Sequence, residues 1–451
     1  MKKISSILFL FIIISHCSLD NKTGIWKEKE NIANKDQNLK LEDVFVKSKI
    51  FDKEIILRGN IKLEIDKPLK TNNYLERYFT SSNNIPNIYY NNSNYKISKF
   101  KKRIVRFPKK LTSNYNKTVD ILLKDDNLIS FDHNGTIFVY SFETGKKILE
   151  YNFYKKKYKK FKKILYLSIK DNSLYVADNI GYAYSIDLDK NKLIWAKNFG
   201  VPFRSNIKSI NNQIFLANQD NIIYALTTNS GETVWQFSTS PTTLKTNFIN
   251  NIAIDEGNNE LFFLNTSGEL YAFDFLRQKI KWFLNVSKST FNDDSDLFVA
   301  APIVFKNNNI LISTDKKLKM FNTTFGQIKW EKKFAVSIKP TITKNNVFLI
   351  TSNNILVCLD IITGEIIWSK KIMKLNENKK IKNIKKINHL LIANNQVLLF
   401  SSTGYLLTYN YKNGNLISIN KILKSGMMNY PIISDGKMFI LDKKYKLTIF
   451  E

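Results

Sequence analysis

The sequence Gly364-Glu365-Ile366-Ile367-Trp368 ends one copy of a pattern that recurs between residues 127 and 450. Each copy has a short apolar strand, a polar turn, a second apolar strand and an ending of the form Gly-x-x-x-Trp. The other endings with a tryptophan are Asn191–Trp195, Gly231–Trp235, Gln278–Trp282 and Gly326–Trp330, and successive tryptophans are 40, 47, 48 and 38 residues apart. A strand repeat of this length predicts a β-propeller, because one small sheet cannot bury both of its faces alone and must stack against the next.

The number of copies predicts the number of blades. Seven complete copies have their strand pairs at 128–131 and 136–140, 174–177 and 182–186, 214–217 and 222–226, 261–264 and 270–273, 310–313 and 318–321, 347–350 and 355–359, and 397–400 and 405–409. An eighth pair, at 438–441 and 447–450, has no final strand after it. Because natural sheets avoid an open edge, we expect a strand within 95–107 to complete blade eight. The sequence thus predicts an all-β, eight-bladed propeller that is closed by an N-terminal strand.

The glycine and the tryptophan of each ending have separate structural roles. A glycine after the third strand suits a turn with positive φ, and a tryptophan four residues later lies on the outermost strand. Because the rings recur at equivalent positions, we expect each ring to stack its blade on a neighbouring blade rather than to serve in catalysis. Leu149 and Ser418 occupy the tryptophan position in blades one and seven, where we expect weaker outer packing.

The composition is that of a large folded protein with a strong basic excess. Of the 451 residues, 43% are hydrophobic and 13% aromatic, which suffices for an extensive core. The formal charge is +30, but the lysines are spread along the chain, which favours a general composition bias over a nucleic-acid-binding patch. The most basic run is Lys155–Lys163, which we interpret as a solvated loop. Contact of this run with anionic lipid headgroups or with an acidic partner is the alternative.

The N-terminus predicts export and lipidation. Met1–Lys3 provides positive charge, and Ile7–Ile14 is an apolar run of the length found in secretory signal peptides, too short to span a bilayer comfortably. The run leads to Cys17 in a sequence that resembles a bacterial lipobox, with His16 in place of the usual small residue. We expect a lipid on Cys17 and, because Ser18 follows it, an anchor in the outer membrane that leaves the protein facing the periplasm. An ordinary signal peptide with an incidental cysteine is the alternative.

These features divide the chain into four expected segments. They are a lipoprotein signal peptide at 1–17, a flexible tether at 18–43, an irregular N-terminal extension at 44–96 and the propeller at 97–451. The part of the extension from 67 to 96 is rich in Asn, Ser and Tyr, and we expect it to pack across the propeller. Cys358 lies within an apolar strand, where we expect a small core residue.

Several of these features together resemble a known family. Propellers with Gly-x-x-x-Trp endings include the PQQ-dependent alcohol dehydrogenases and their relatives without a cofactor. The repeat, the lipobox-like Cys17, the stretch Cys17–Trp26 and the tether resemble the BamB family, the lipoprotein subunits of the outer-membrane β-barrel assembly (BAM) machinery. The resemblance covers nearly the whole chain. It implies a PQQ-like propeller that acts without a cofactor as a non-catalytic scaffold, a monomer within a hetero-complex.

The residues expected of a PQQ enzyme are missing from the sequence. Such an enzyme needs a carboxylate base, oxygen ligands for Ca²⁺ and usually a vicinal cysteine pair, whereas the two cysteines here are Cys17 and Cys358. His133 in a blade-one hairpin and His389 before blade seven have no expected catalytic partner, and no Cys/His cluster suits a metal. We therefore predict no catalytic residue and no metal. A periplasmic PQQ-dependent oxidoreductase and a sugar- or polymer-binding propeller are the alternative functions.

The resemblance to the BamB family also implies a binding surface. In that family, loops between the central blades bind the POTRA domains of the barrel-inserting subunit, and unfolded outer-membrane proteins are the clients. The corresponding loops here are 239–247 and 291–298. Leu244 and Lys245 in the first resemble the family's apolar-plus-arginine contact, and Asp294 and Asp296 in the second resemble its pair of acids. Lysine in place of arginine weakens bidentate pairing, and two ordinary solvated loops are the alternative interpretation.

Overall fold

The computed structural model describes most of the chain as β-structure. It describes residues 51–57, 63–91, 121–154, 158, 160–243, 246–287, 297–336, 338–372, 384–444 and 446–451, and the backbone of 17–19, 26–28 and 96–97. The chain divides into two compact units, residues 1–49 and 50–451. In the first unit, β1 (Cys17–Leu19) pairs with β2 (Trp26–Glu28) in antiparallel fashion. The second unit contains all the other strands.

The first four blades are antiparallel four-stranded sheets in sequence order. Blade one is β4 (Leu122–Lys124), β5 (Asn127–Phe131), β6 (Thr136–Ser141) and β7 (Lys147–Asn152). Blade two is β8 (Leu165–Lys170), β9 (Ser173–Asp178), β10 (Tyr182–Asp187) and β11 (Lys192–Asn198). Blade three is β12 (Lys208–Ile210), β13 (Gln213–Ala217), β14 (Ile222–Thr227) and β15 (Thr233–Ser238). Blade four is β16 (Asn251–Asp255), β17 (Glu260–Leu264), β18 (Glu269–Asp274) and β19 (Lys279–Asn285).

Blades five to seven repeat this order, and blade eight departs from it. Blade five is β20 (Val304–Lys306), β21 (Asn309–Ser313), β22 (Leu318–Asn322) and β23 (Ile328–Lys332). Blade six is β24 (Thr341–Thr343), β25 (Asn346–Ile350), β26 (Ile355–Asp360) and β27 (Ile366–Lys371). Blade seven is β28 (Ile387–Ala393), β29 (Gln396–Ser401), β30 (Tyr405–Asn410) and β31 (Leu416–Lys421). Blade eight is β32 (Ile432–Ser434), β33 (Lys437–Leu441), β34 (Leu447–Phe450) and, from the N-terminal side of the chain, β3 (Lys96–Ile97).

The predicted eight-bladed propeller and its closure are confirmed. The N-terminal strand β3 pairs with β34 through Lys96↔Phe450 and Ile97↔Ile449, so both ends of the propeller contribute to blade eight. Clusters of buried apolar side chains fill the interface between each blade and the next, and one cluster joins blades eight, one and two. Cys358 is fully buried in the cluster between blades six and seven. The first strand of each blade is the innermost, and these short strands were not assigned from the sequence.

The recurrent tryptophans dock one blade onto the next. Each of these five tryptophans lies on the outermost strand of its blade. The rings of four of them lie against a glycine in the last turn of the following blade. The pairs are Trp195–Gly231, Trp282–Gly326, Trp330–Gly364 and Trp368–Gly414. The indole N–H groups donate to the carbonyls of Thr228, Thr323, Ile361 and Tyr411 at 2.8, 2.6, 2.9 and 3.1 Å respectively. Leu149 and Ser418 occupy the same register position as the tryptophans in their own blades. A glycine is needed beneath the ring because any side chain would occupy the space of the indole.

Trp235 departs from this pattern because its docking position lacks glycine. Gln278 stands in the last turn of blade four with φ of 57°, a left-handed conformation that disfavours side chains. The buried Nε1 of Trp235 has no acceptor within the described residues, and the ring instead stacks on Phe273 at 5.7 Å. The interface between blades three and four therefore lacks the indole N–H hydrogen bond that the other four tryptophans form with the following blade.

Candidate partner-binding loops and the central channel

The loop from blade three to blade four is fixed at its base by buried polar groups. Asn221 Nδ2 donates to the carbonyl of Ser240 at 2.8 Å, and Ser240 Oγ donates to Glu269 Oε1 at 2.7 Å. Thr239 Oγ1 donates to the carbonyl of Asn221 at 2.8 Å and accepts from Asn265 Nδ2 at 2.9 Å. These bonds tie the start of the loop, at Thr239 and Ser240, to blades three and four.

The far end of the same loop contacts the segment that enters blade five. Arg204 donates to the carbonyls of Thr246 and Phe248, and Thr246 Oγ1 donates to the carbonyl of Phe298 at 3.1 Å. The rings of Phe248 and Phe298 meet edge to face at 5.4 Å. The two loops flanking blade four therefore share one support, and a partner that contacts one loop is held close to the other.

Apolar side chains are exposed beside this support. Leu297 and Val299 are 46% and 40% exposed, and they flank Phe298 in the segment that leads into blade five. Exposed apolar side chains on rigidly held loops are typical of protein-binding sites. The described residues beside blade four thus provide exposed apolar side chains next to the anchored base of the loops.

The residues predicted to contact a partner lie outside the described residues. This holds for Leu244 and Lys245 in the first loop and for Asp294 and Asp296 in the second. It also holds for residues 155–157 and 159 of the basic run and for the side chain of Cys17. The described flanks place the two loops on either side of blade four, but no contact of the four predicted residues follows from them.

A strap formed by residues 63–91 crosses the central channel and bonds to every blade. Its own isolated pairings include Tyr74↔Leu123 and Ile88↔Ala393. Each of the eight blades forms at least one hydrogen bond with a strap residue. With the strap residue written first and the blades in order from one to eight, the pairs are Tyr74–Leu123, Leu75–Ile169, Glu76–Lys208, Ser81–Ile254, Ser82–Phe305, Asn84–Ile342, Ile88–Ile392 and Thr71–Asp435. We expected a segment across the propeller from its lack of periodicity. That it reaches all eight innermost strands is visible only in the structure.

The strap supplies the partner of a buried lysine. Lys208 Nζ lies 2.7 Å from Glu76 Oε1 and 2.7 Å from the carbonyl of Thr80. The side chain of Lys208 is 1% exposed, and that of Glu76 is 11% exposed. Burial lowers the pKa of Lys208, and the adjacent carboxylate opposes this shift. A charge taken this far from water needs its counter-charge nearby, so the strap and blade three depend on each other.

Among the residues that the structure describes, a second buried lysine has no such counter-charge. Lys339 Nζ donates to the carbonyl of Asn83 in the strap at 2.7 Å and lies 6.0 Å from the centre of the Tyr430 ring. Burial, and then the charge of Lys208, lower the pKa of Lys339 to about 7. His389, placed before blade seven by the sequence, in fact lies in β28 and meets Tyr430 edge to face at 4.7 Å. Burial lowers the pKa of this histidine as well. Burial thus lowers the pKa of two basic groups that lie beside Tyr430.

The shifted pKa of Lys339 predicts that stability rises with pH above neutrality. In the unfolded chain this lysine holds its proton up to a pKa of about 10.4, whereas in the folded protein the pKa is about 7. Between these values the unfolded state binds one more proton, so the free energy of unfolding should increase by up to about 1.4 kcal/mol per pH unit. Urea unfolding at several pH values from about 7 to about 9 measures this slope.

A matched pair of substitutions isolates the contribution of Lys339. Lys339→Met should remove most of the slope, and Lys386→Met, at an exposed lysine near the start of blade seven, should leave the slope unchanged. Equal slopes in the parent protein and in Lys339→Met would show that the pH dependence arises from other groups.

Outside the two loops and the channel, the described residues offer few side chains with the chemistry of a functional site. Within the described ranges no group of three or more His, Cys, Asp and Glu side chains is arranged to hold a metal ion. In the same ranges, no helix has both the length and the apolar character to cross a membrane. His133 is half-buried in the hairpin between β5 and β6. Neither Glu76 nor the two channel lysines stood out in the sequence, because each resembles many other charged residues until the fold brings them together.

Comparison with known proteins identifies the class and then the family. Eight blades of four strands, docked by Trp–Gly contacts, define a propeller of the quinoprotein type. The family model described as outer membrane protein assembly factor BamB matches residues 125–370 and 336–451. The chain therefore belongs to the BamB family. A comparison with curated protein sequences gives no significant match.

Solved structures of the same fold include a BamB protein, an alcohol dehydrogenase and a designed protein. BamB from Moraxella catarrhalis is 14% identical, with 74% of this chain and 96% of that chain covered and a TM-score of 0.61. A quinohemoprotein alcohol dehydrogenase from Comamonas testosteroni is 11% identical, with 85% and 80% covered and a TM-score of 0.59. The computationally designed Ika8 protein is 13% identical, with 77% and 99% covered and a TM-score of 0.56. At these identities the likeness concerns the fold alone.

Proposed function

We propose that the chain is a non-catalytic scaffold subunit of the outer-membrane β-barrel assembly machinery. In this role it binds the POTRA domains of the barrel-inserting subunit and aids the insertion of unfolded outer-membrane proteins. The observation that carries the proposal is the family match, which covers residues 125–370 and 336–451 and thus most of the propeller. An anchor through a lipid on Cys17 and a place on the periplasmic face of the outer membrane belong to the same proposal.

The mechanism we propose is positioning by a rigid surface. The loops on either side of blade four share the Arg204 and Phe298 contacts described above, so the described flanks of the two loops are held beside each other. A binding surface that is ordered before the partner arrives loses little conformational entropy on binding. The propeller would therefore hold the POTRA segments in one arrangement while the barrel subunit acts on its client.

The oxidoreductase alternative is disfavoured by the contents of the channel. A quinone with Ca²⁺ needs space and several oxygen ligands, but Asn83 and Asn84 of the strap bond directly to the innermost strands of blades four, five and six. Glu76, the carboxylate of the strap in this region, is already paired with Lys208. The groups described in the channel do not fit that cofactor, and reconstitution with PQQ and Ca²⁺ should give no bound quinone absorbance.

Affinity capture from solubilised membranes tests the proposed function. The tagged full-length protein should co-purify with the POTRA-bearing, barrel-inserting subunit. Replacing both acids of the second loop, Asp294→Lys and Asp296→Lys, should reduce the captured amount at least about tenfold, because each charge reversal turns an attraction into a repulsion.

A control variant with the same change of charge distinguishes a specific site from a general charge effect. Glu143→Lys with Glu150→Lys alters two exposed acids of blade one, three blades away from blade four, and should leave capture unchanged. Absence of the barrel-inserting subunit from the parent capture would refute the function. Normal capture by the Asp294/Asp296 variant would refute only the assignment of that loop.

A further inference from the structure

The strap contacts the blades in the order in which they occur in the chain. Residues between 74 and 91 bond to the innermost strands of blades one to seven and to the turn that follows the innermost strand of blade eight. In blade order these strap residues are Tyr74, Leu75, Glu76, Ser81, Ser82, Asn84, Ile88 and Asn91. The circuit begins and ends at that turn of blade eight, where Asp435 N donates to the carbonyl of Thr71 at 2.6 Å. Asn91 N donates to the carbonyl of Gly436 at 2.9 Å. The strap therefore follows the ring in the same rotational sense as the blades.

The two ends of this circuit are joined within the strap. Leu69 and Ile88 form a parallel bridge. In this bridge Leu69 N donates to the carbonyl of Asn87 at 2.9 Å, and Tyr89 N donates to the carbonyl of Leu69 at 2.9 Å. Ile88 also bridges Ala393 of blade seven. Because its first and last residues bond to each other, the strap is closed by its own hydrogen bonds, independently of the pairing that closes blade eight.

Local contacts fix the bend at the middle of the strap. Phe79 has φ of 77° and Asn83 has φ of 59°, and a left-handed conformation is unusual for a bulky aromatic residue. The Phe79 ring lies 5.5 Å from that of Tyr74, and Phe79 N donates to the carbonyl of Glu76 at 3.1 Å. A conformation of this kind persists only where neighbouring contacts hold it. These contacts span five positions or fewer, so they need no blade in order to form.

The strap binds backbone groups that the blades themselves leave unpaired. The innermost strand of each blade pairs with one strand of its own blade, so its other edge is open to wrong pairing unless another segment covers it. Backbone N–H groups on the innermost strands of blades two, four and five donate to strap carbonyls at 2.8, 2.9 and 3.0 Å respectively. The pairs are Ile169–Leu75, Ile254–Ser81 and Phe305–Ser82. The strap thus covers the inner edges of the blades.

The whole strap precedes the blades in the chain. It ends at residue 91, and β4, the first strand of blade one, begins at Leu122. Each blade therefore has its strap partner already synthesised when its own innermost strand is made. The closing pair Lys96↔Phe450 instead needs the last strand of the chain. Strap contacts are thus available to every blade before the ring can close.

We propose that the strap is an assembly template, an internal chaperone that holds the innermost strands of successive blades in order until β34 closes the ring. In this role the contacts between strap and blade form before one blade docks on the next. Covering the inner edges protects the incomplete ring, because unpaired strand edges make folding intermediates prone to misassembly. The proposal concerns how the propeller forms and is independent of the function proposed above.

Two buried asparagines provide a matched pair of substitutions. Asn84 of the strap donates to the carbonyl of Ile342 in blade six at 2.8 Å and accepts from its N–H at 3.0 Å. Asn206 of blade three forms the same two bonds with Ile252 of blade four at 2.8 and 2.9 Å. Both asparagines are buried. Replacement by alanine therefore removes the same chemistry from a strap contact in one variant and from a contact between blades in the other.

Refolding and unfolding rates of the full chain in urea test the order of the contacts. Asn84→Ala should slow refolding about tenfold and change the unfolding rate less than about threefold, because a contact already formed in the transition state affects the folding rate. Asn206→Ala should mainly accelerate unfolding. Unchanged refolding of Asn84→Ala would show that the strap docks last and would overturn the proposal. Slowing by Asn206→Ala as large as that by Asn84→Ala would also overturn it, because the strap would then have no precedence.

Pulsed hydrogen exchange during refolding tests the same order in the unsubstituted chain, without depending on a variant that folds. The N–H groups of Ile169, Ile254 and Phe305, which donate to the strap, should become protected first. Those of Ile252 and Ile303 donate to asparagine side chains of the preceding blade and should become protected at least about threefold more slowly. Simultaneous or later protection of the groups bonded to the strap would contradict a template.

Discussion

Replacing Glu76 by leucine is expected to lower the free energy of unfolding by about 3–5 kcal/mol. The Glu76 carboxylate lies 2.7 Å from the Lys208 ammonium, whose side chain is 1% exposed. Without the carboxylate, Lys208 retains the carbonyl of Thr80 as a partner but not its counter-charge. A buried charge without a counter-charge is strongly unfavourable because the lost hydration is not replaced. Urea unfolding followed by tryptophan fluorescence measures the loss.

Two further variants separate the ion pair from the loss of a side chain. In the double variant Glu76→Leu with Lys208→Met, an apolar pair replaces both charges, and most of the lost stability should return. Glu150→Leu removes a carboxylate that pairs with Lys147 on the surface, where both side chains are about half-exposed, and should change stability by less than about 0.5 kcal/mol. Failure of the double variant to recover would show that Glu76 acts through its packing rather than its charge.

Gly364→Ala is expected to lower the free energy of unfolding by about 2–5 kcal/mol, the sum of two effects. The φ of Gly364 is 68°, and the left-handed conformation penalises a side chain by about 1–2 kcal/mol. The new methyl group would also lie 2.5 Å from the Trp330 ring, and forcing such an overlap in a packed interface adds about 1–3 kcal/mol. The same unfolding experiment in urea provides the measurement.

Gly200→Ala is the matched control for this substitution. Gly200 has φ of 72°, and a methyl group there would meet no atom within 4 Å, so this variant shows the conformational effect without the overlap. The difference between the two variants is the packing contribution of the docked tryptophan. If both lose the same stability, the contact between Trp330 and Gly364 contributes little to the blade interface.

The sequence is most informative where a structural role is local and repeated. A glycine four residues before a tryptophan belongs to one turn and one strand, so its spacing already reports the blade period. The same spacing placed Gln278 at the glycine position of its repeat, and in the structure Gln278 has a positive φ. The closing strand could also be predicted, because an incomplete last copy requires a strand from elsewhere.

The contacts in the channel could not be predicted from the sequence, because they are neither local nor repeated. Glu76 and Lys208 are 132 positions apart, and neither belongs to a periodic pattern. The strap binds largely through backbone groups and asparagine side chains, as Asn83 and Asn84 do, and such bonds leave almost no signature in hydrophobic periodicity. The innermost strands were missed because several have three residues, as β4 and β12 do, too few to display alternation.

The pairing of β3 with β34 makes the ring dependent on the order in which the chain is synthesised. Lys96 and its partner Phe450 are 354 positions apart (450 − 96), so this contact closes a very long loop. Contacts of such high order form slowly, because a long loop must close before they contribute any stability. Until residue 450 has been made, blades one to seven form an arc whose two ends remain unpaired, and this arc is the species most exposed to misassembly. Closure of the ring is therefore a late event in which β34 joins a strand, β3, that was synthesised long before it.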